Sequence, residues 1–113
     1  MPLSDLENEL VGLLRRIRER PGMYIGGPSL ERLSGFISGF LHARLGPEVP
    51  DPRLLKRFSE WQRAHTGIDK EASWMQFIRF YSSDDRSAFE AFYRDFETFM
   101  SETRDHLGDS SAL

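Results

Sequence analysis

The residues with the chemistry for catalysis or metal binding are three histidines, the serines and a pair of adjacent carboxylates. His42, His65 and His106 fall on three different predicted helices, and around no two of them is there a His or carboxylate at ligand spacing. No serine lies in a G-x-S-x-G or S-x-x-K pattern, as many serine nucleophiles do. Asp84 and Asp85 are adjacent, and their simplest role is to cap the helix that follows. The sequence therefore predicts no enzyme, no cofactor and no metal site.

The amino-acid composition excludes several further classes of function. The 113 residues contain no cysteine, which excludes disulfide scaffolds, cysteine-bound zinc and thiol nucleophiles. A formal net charge of −3 and a pI of about 5.6 argue against a general nucleic-acid or membrane binder and favour a basic partner. No apolar run approaches the ~20 residues that cross a bilayer. The first residues lack a secretory-signal pattern, so we expect a cytoplasmic protein.

The elements that must position these side chains are helices. Apolar residues recur at helical spacing, and Ser4 with Glu7 has the pattern of a capping box. We predict an all-α fold: a single compact domain of about five antiparallel helices over residues 1–108, with a disordered tail at 109–113. The predicted helices run from Ser4 to Pro21, from Ser29 to Gly46 and from Asp51 to Gly67. A shorter fourth helix begins near Asp69 or Ser73 and carries Trp74 to Tyr81, and the last runs from about Asp85 to Leu107.

Aromatic residues are expected to fill the core. The chain has nine Phe, three Tyr and two Trp, and most lie on the inward stripes of the predicted helices. This distribution favours core packing over a cofactor-binding box. On the second helix, Gly35 and Gly39 lie about one turn apart, although each costs about 1 kcal/mol of helix propensity relative to Ala. We expect another helix or a ring to approach this face closely; the alternative is a groove for a partner or ligand.

Charge is unevenly distributed along the chain. Residues 1–44 carry a net charge of +1 and residues 45–113 a net charge of −4. On the last helix, Asp95, Glu102 and Asp105 follow helical spacing on the side away from the apolar stripe, which predicts an outward acidic stripe. Such a stripe is either a solvated helix face or a surface that steers the protein toward a basic partner.

The string RPGMYIG at residues 20–26 is the most distinctive local motif. Its Pro and Gly end the first helix, and Met23, Tyr24 and Ile25 are expected to fold back as a loop between the first two helices. The string resembles a stretch near the start of the ATPase domain of type II topoisomerases. In that family the next helix carries a Glu followed by Asn and Asp residues, whereas residues 30–45 offer only Glu31, so ATP binding is not predicted.

A wider resemblance is to a largely uncharacterised family of small bacterial helical proteins with an N-terminal RPGMY(I/L)G string. The matching positions span nearly the whole chain and include Ser29-Leu30, Phe58 with Trp61, Trp74, and Asp84-Asp85 followed by Ala88-Phe89 and Phe92. The resemblance implies a small helical cytoplasmic protein. The family is thought to include immunity proteins of polymorphic toxins, and it supplies no catalytic residue.

Two function hypotheses follow. The first is an immunity or antitoxin protein, monomeric on its own, that neutralises a cognate toxin by direct stoichiometric binding to a basic surface, without contacting nucleic acid or membrane. The alternative is a small helical adaptor or regulator that could self-associate through Gly35 and Gly39. The candidate partner-binding residues are Tyr24, Asp84, Asp85, Asp95, Glu102 and Asp105.

Overall fold

The computed structural model describes residues 3–46, 52–67 and 74–111, and for residues 104–111 it describes the backbone alone. This part of the chain is all-α and forms one globule, which confirms the predicted fold class. Its six helices are α1 (Asp5–Glu19), α2 (Pro21–Tyr24), α3 (Leu30–Leu45), α4 (Arg53–Thr66), α5 (Trp74–Phe80) and α6 (Asp85–Ser111).

The start of α1 is fixed by the predicted capping box, which also reaches a second helix. Ser4 Oγ accepts a hydrogen bond from the Glu7 backbone N–H at 3.1 Å, and Glu7 Oε1 accepts one from the Ser4 N–H at 3.0 Å. The other carboxylate oxygen of Glu7 accepts a hydrogen bond from the Leu54 N–H at 2.6 Å, in the first turn of α4. One buried carboxylate therefore satisfies backbone donors at the starts of two helices.

Three helix boundaries differ from the prediction. Residues 21–24 form the short helix α2 and not a loop, and its Met23 does not fold back, because 71% of that side chain is exposed. Helix α5 ends at Phe80, so Tyr81 leaves its predicted inward stripe. The helix starts predicted at Asp51 and near Asp69 or Ser73 lie outside the described residues. Helix α6 continues to Ser111, beyond the stop predicted at Gly108. The division into a domain of residues 1–108 and a tail of residues 109–113 stays a prediction.

The core is aromatic, as predicted, and α6 supplies most of its rings. Phe58 of α4 packs edge-on against Phe92 and Phe96 of α6, with ring centroids 5.8 and 5.4 Å apart. Trp74 of α5 lies 5.1 Å from the ring of Phe92. Helix α6 thus joins α4 and α5 through one cluster of rings.

Tyr93 connects the same helix to α1. Its hydroxyl donates a hydrogen bond to the Leu14 carbonyl oxygen at 2.6 Å, and the residue is buried. Burial raises the pKa of Tyr93 above its ordinary value, although the nearby Arg18 guanidinium lowers it in part. The hydroxyl therefore stays protonated, as its role of hydrogen-bond donor requires.

The glycine-bearing face of α3 is open, and the prediction of a close approach there is wrong. Gly35 and Gly39 are exposed, and a Cβ atom built on either would meet nothing within 4 Å. The buried side of α3 is instead formed by Leu33, Ile37 and Leu41. These aliphatic side chains belong to the same buried cluster as the large rings. A role of the glycines in binding a partner stays a prediction.

The central position of Phe92 predicts a large effect of its truncation. Phe92→Ala should lower the free energy of unfolding by about 3–5 kcal/mol, because it removes a fully buried ring and leaves a cavity beside Phe58 and Trp74. Urea denaturation followed by circular dichroism measures the change. Glu90→Ala, an exposed position on the same helix, is the control and should change stability by less than about 0.5 kcal/mol. Equal effects of the two substitutions would contradict the assigned core.

The hydrogen bonds to the Glu7 carboxylate should make the free energy of unfolding depend on pH. Desolvation acts to raise the pKa of Glu7, but the hydrogen bonds from Ser4 and Leu54 outweigh it and hold the pKa below the ordinary value of 4.5. This stabilisation is complete above the unfolded-state pKa and is lost as the pH falls through the lower folded-state pKa. Glu7→Gln should cost about 1–2 kcal/mol at pH 7, since a neutral amide has one oxygen for two backbone donors.

The measurement is urea unfolding of the natural chain and of Glu7→Gln between pH 7 and pH 3. The difference between them should shrink as the pH falls below 4.5. Glu19→Gln removes the same charge from an exposed position at the end of α1 and should show no such convergence. A difference for Glu7→Gln that does not depend on pH would exclude the ionised carboxylate as the capping group.

Candidate protein-binding site

A cavity of about 260 Å³ lies between α4, α5 and α6. Helix α4 contributes one wall, α5 and the turn after it contribute the second, and α6 contributes the third. The lining residues are Trp61, Gln62, His65, Thr66, Phe77, Ile78, Tyr81, Ser82, Ala91, Arg94 and Asp95. The wall thus combines aromatic rings with polar side chains, which is the composition of a binding site more than of a core void.

The α4 wall is held in place by Glu102 of α6. The indole Nε1 of Trp61 donates a hydrogen bond to Glu102 Oε2 at 2.5 Å, and His65 Nε2 lies 3.7 Å from Glu102 Oε1. The His65 ring lies over the indole, with centroids 4.0 Å apart, and its Nδ1 is 2.9 Å from the Trp61 carbonyl oxygen. Because a carbonyl oxygen only accepts, Nδ1 is the donor in that contact. Glu102 therefore contacts α4.

Gln62 is the most deeply buried polar residue of the cavity wall. It is only 3% exposed, and its Nε2 donates a hydrogen bond to the Trp74 carbonyl oxygen at 3.3 Å. Its Oε1 has no hydrogen-bond partner within the described part of the chain. Most buried polar atoms in proteins are paired, so an orphaned acceptor beside a cavity is an exception that calls for an explanation.

Asp95 brings negative charge to the same cavity. Its side chain is one-third exposed, and Oδ1 lies 3.5 Å from Arg94 Nε. Arg94 itself is three-quarters exposed, so this ion pair is a solvated one. Asp95 lines the cavity, and Glu102 contacts Trp61 with about half of its side chain exposed. The outward acidic stripe that the two were predicted to share stays a prediction. Asp105 belongs to α6, but its side chain lies outside the described residues.

Two exposed aromatic residues lie at the end of α5, beside the cavity. Phe80 is 79% exposed and Tyr81 is 59% exposed, and their rings meet edge-on with centroids 5.1 Å apart. The helical spacing of Trp74, Phe77, Ile78 and Tyr81 predicts an inward Tyr81, and it gives no signal for Phe80. The Ser82 hydroxyl, which donates to the Ile78 carbonyl oxygen at 2.7 Å, marks the end of the helix that places Tyr81 outside the core.

The remaining predicted partner-binding residues have structural contacts. Asp84 Oδ1 accepts a hydrogen bond from the Ser87 N–H at 2.7 Å, which caps α6 and lowers the pKa of Asp84. Asp85 Oδ1 accepts one from the Glu31 N–H at 3.1 Å, in the first turn of α3. The Ser29 side chain and the Glu31 N–H lower the pKa of Asp85. A partner-binding role for these residues stays a prediction.

Tyr24 is the remaining residue predicted to bind a partner. It is half-buried and packs against the core from the end of α2. The structure therefore brings Asp95 and Glu102 to the region of the cavity, whereas Asp84 and Asp85 occupy helix starts. The structure adds four residues to this region that the sequence patterns do not indicate as binding residues: Trp61, Gln62, Phe80 and Tyr81.

Comparisons with protein-family models, with curated proteins and with solved structures find no match for this chain. The resemblance to the RPGMY(I/L)G family thus stays a prediction. The described residues contain no group of three or more His, Asp or Glu side chains placed to hold a metal ion. Among the described helices, none combines the length and apolar character that a membrane span requires.

The contact between Asp85 and α3 yields a prediction that separates a structural from a binding role. Asp85→Ala should lower the free energy of unfolding by about 1 kcal/mol, because the Glu31 N–H loses its acceptor at the start of α3. Hydrogen exchange followed by NMR should show a faster-exchanging Glu31 amide, while the Ser87 amide, which donates to Asp84, keeps its rate. An unchanged Glu31 amide would leave partner binding as the remaining reason for an acidic residue at this position.

Proposed function

We propose that the protein is an immunity or antitoxin protein that neutralises a cognate toxin in the cytoplasm by direct stoichiometric binding, without catalysis. The observation that carries the proposal is the exposed ring pair of Phe80 and Tyr81 at the rim of the cavity. Exposed aromatic side chains beside a pocket are typical of the centres of protein interfaces, where they supply much of the binding energy.

The negative charge of the chain supports a partner with a basic surface. Asp95 lines the cavity together with Tyr81 and Arg94, and Glu102 contacts the α4 wall through Trp61, so α6 brings two acidic groups and one basic group to this region. The net charge of the chain is −3. A toxin that acts on nucleic acids or nucleotides carries a basic cleft, and a complementary acidic surface would steer association and fix the orientation of the complex. The resemblance to a family with immunity proteins supports the same proposal.

The alternative is a helical adaptor that self-associates through the face of α3 that carries Gly35 and Gly39. The open space above both glycines favours this reading, because a second helix could approach the backbone closely there. Light scattering of the isolated chain separates the two proposals. A monomer agrees with the immunity function, and a stable dimer abolished by Gly35→Leu favours the adaptor.

The immunity function predicts a growth phenotype. Each reading frame adjacent to this gene is expressed in a bacterial host, alone and together with this chain. One product should stop growth alone and should not do so in the presence of the chain, and the two proteins should copurify as a complex of one to one. The proposal fails if no adjacent product is toxic, or if the rescue occurs without a complex.

The same assay tests the assigned surface. The double substitution Phe80→Ser and Tyr81→Ser should abolish rescue and weaken the toxin complex at least roughly a hundredfold, since interface rings contribute ≥ ~2 kcal/mol each where they are hot spots. Met23→Ser, which also removes an exposed large apolar side chain, is the matched control and should leave rescue intact. Loss of rescue with Met23→Ser but not with the double variant would move the interface to α2.

A further inference from the structure

The cavity between α4, α5 and α6 has most of its hydrogen-bond donors already engaged. Trp61 Nε1 donates to Glu102, and Gln62 Nε2 donates to the Trp74 carbonyl oxygen. The Ser82 hydroxyl donates to the Ile78 carbonyl oxygen, and His65 Nδ1 donates to that of Trp61. Two exposed lining residues bring further donors: Arg94, whose side chain is three-quarters exposed, and Tyr81 through its hydroxyl.

Several acceptors of the same wall have capacity to spare. Gln62 Oε1 has no partner among the described residues, and the Ser82 oxygen keeps lone pairs once its hydrogen is donated. Within the described residues, the Asp95 carboxylate pairs with Arg94, and each carboxylate oxygen can accept more than one hydrogen bond. A ligand that fits this wall must therefore donate hydrogen bonds at several points, and the carboxylate favours a positive charge on it.

The aromatic lining of the cavity restricts the choice of ligand further. Tyr81 lines the cavity and is 59% exposed, whereas the Trp61 indole is already covered by the His65 ring and Phe77 is buried. The exposed ring of Tyr81 can attract a cation over its face. A guanidinium group is planar, carries five N–H donors and no acceptor, and stacks on aromatic rings, whereas an ammonium group is compact and strongly hydrated. Of the common cationic groups, guanidinium matches both the spare acceptors and the exposed ring of Tyr81.

We propose that this cavity binds the guanidinium group of an arginine side chain presented by the partner protein. The proposal rests on the proposed function, because it names the group of the basic toxin that the inhibitor would hold. The incoming guanidinium would replace Arg94 as the ion-pair partner of Asp95. The Arg94 to Asp95 contact is largely solvated, and such surface pairs contribute little to stability, so the exchange costs little.

The site can be tested without the toxin. The probe is Nα-acetyl-arginine N-methylamide, titrated into the ¹⁵N-labelled chain and followed by NMR. The chain has two tryptophans, so two indole N–H signals report on two environments. The signal of Trp61 should shift and saturate in the millimolar range, while that of Trp74, whose ring packs on Phe92, should stay in place.

Matched probes and variants test which chemical groups of the probe and of the cavity are needed for binding. The citrulline analogue has the same shape without the charge and should bind at least roughly tenfold more weakly, and so should the lysine analogue. Asp95→Asn removes the charge and keeps the shape, and it should weaken the arginine probe roughly tenfold. Gln62→Met removes the spare acceptor and should also weaken it. Glu90→Gln, the same charge change at an exposed position on α6, should leave the affinity unchanged.

The outcomes separate this proposal from the proposed function. No saturable shift of Trp61, or equal binding of the arginine and citrulline probes, overturns the guanidinium site and leaves the growth assay to decide on the immunity function. If the toxin is found and Asp95→Asn binds it as tightly as the natural chain does, the proposed arginine contact is wrong although the function stands. Weakening of both the probe and the toxin by Asp95→Asn, with Glu90→Gln unaffected, supports the contact.

Discussion

The packing of Phe58 against Phe92 and Phe96 is the contact on which the rest of the structure depends. It joins α4 to α6, and the same face of α6 then reaches α5 through Trp74. One residue further along, Tyr93 reaches α1 through its hydrogen bond to Leu14. Because buried rings of this size interdigitate at fixed distances, the position of α6 determines the spacing of its neighbours and therefore the width of the cavity between α4, α5 and α6.

The acidic residues of the chain divide between structural and unassigned roles. Glu7, Asp84 and Asp85 accept hydrogen bonds from the first turns of helices, and Glu97 of α6 forms a two-point contact with Arg15 of α1 at 3.2 and 3.3 Å. Such carboxylates stabilise helix starts and helix pairs in the folded state. The net negative charge of the chain is thus in part a consequence of how its helices begin, and Asp95 is the more specific signal for a basic partner because it lines a cavity.

The sequence predicts the helices well because their signals are local. A capping box spans four residues, and an apolar stripe repeats every turn, so Ser4 with Glu7 and the inward rings of α6 are readable without knowledge of the fold. The contacts that build the site are not local: Glu7 reaches Leu54 across 47 positions, and Trp61 reaches Glu102 across 41. Helical spacing also placed Tyr81 inward, since it does not show that α5 ends one residue earlier. The prediction of close packing at Gly35 and Gly39 of α3 is wrong for a similar reason. A small residue allows another helix to approach, but the sequence does not show whether a helix lies there.

Two features of the cavity are hard to explain by stability alone. Gln62 Oε1 has no partner in the part of the chain that the structure describes. An unpaired buried acceptor costs roughly 1–3 kcal/mol relative to a paired one, and an apolar side chain of similar size would avoid that cost. Two exposed rings at Phe80 and Tyr81 add apolar surface to water without adding to the core. Gln62 and Tyr81 both line the cavity, and a partner that covered the rings and supplied a donor to the amide would offset both costs. Natural domains retain local costs of this kind where a surface is used for binding, and this coincidence supports a binding role for the surface at the end of α5 more strongly than the acidic residues of α6 do alone.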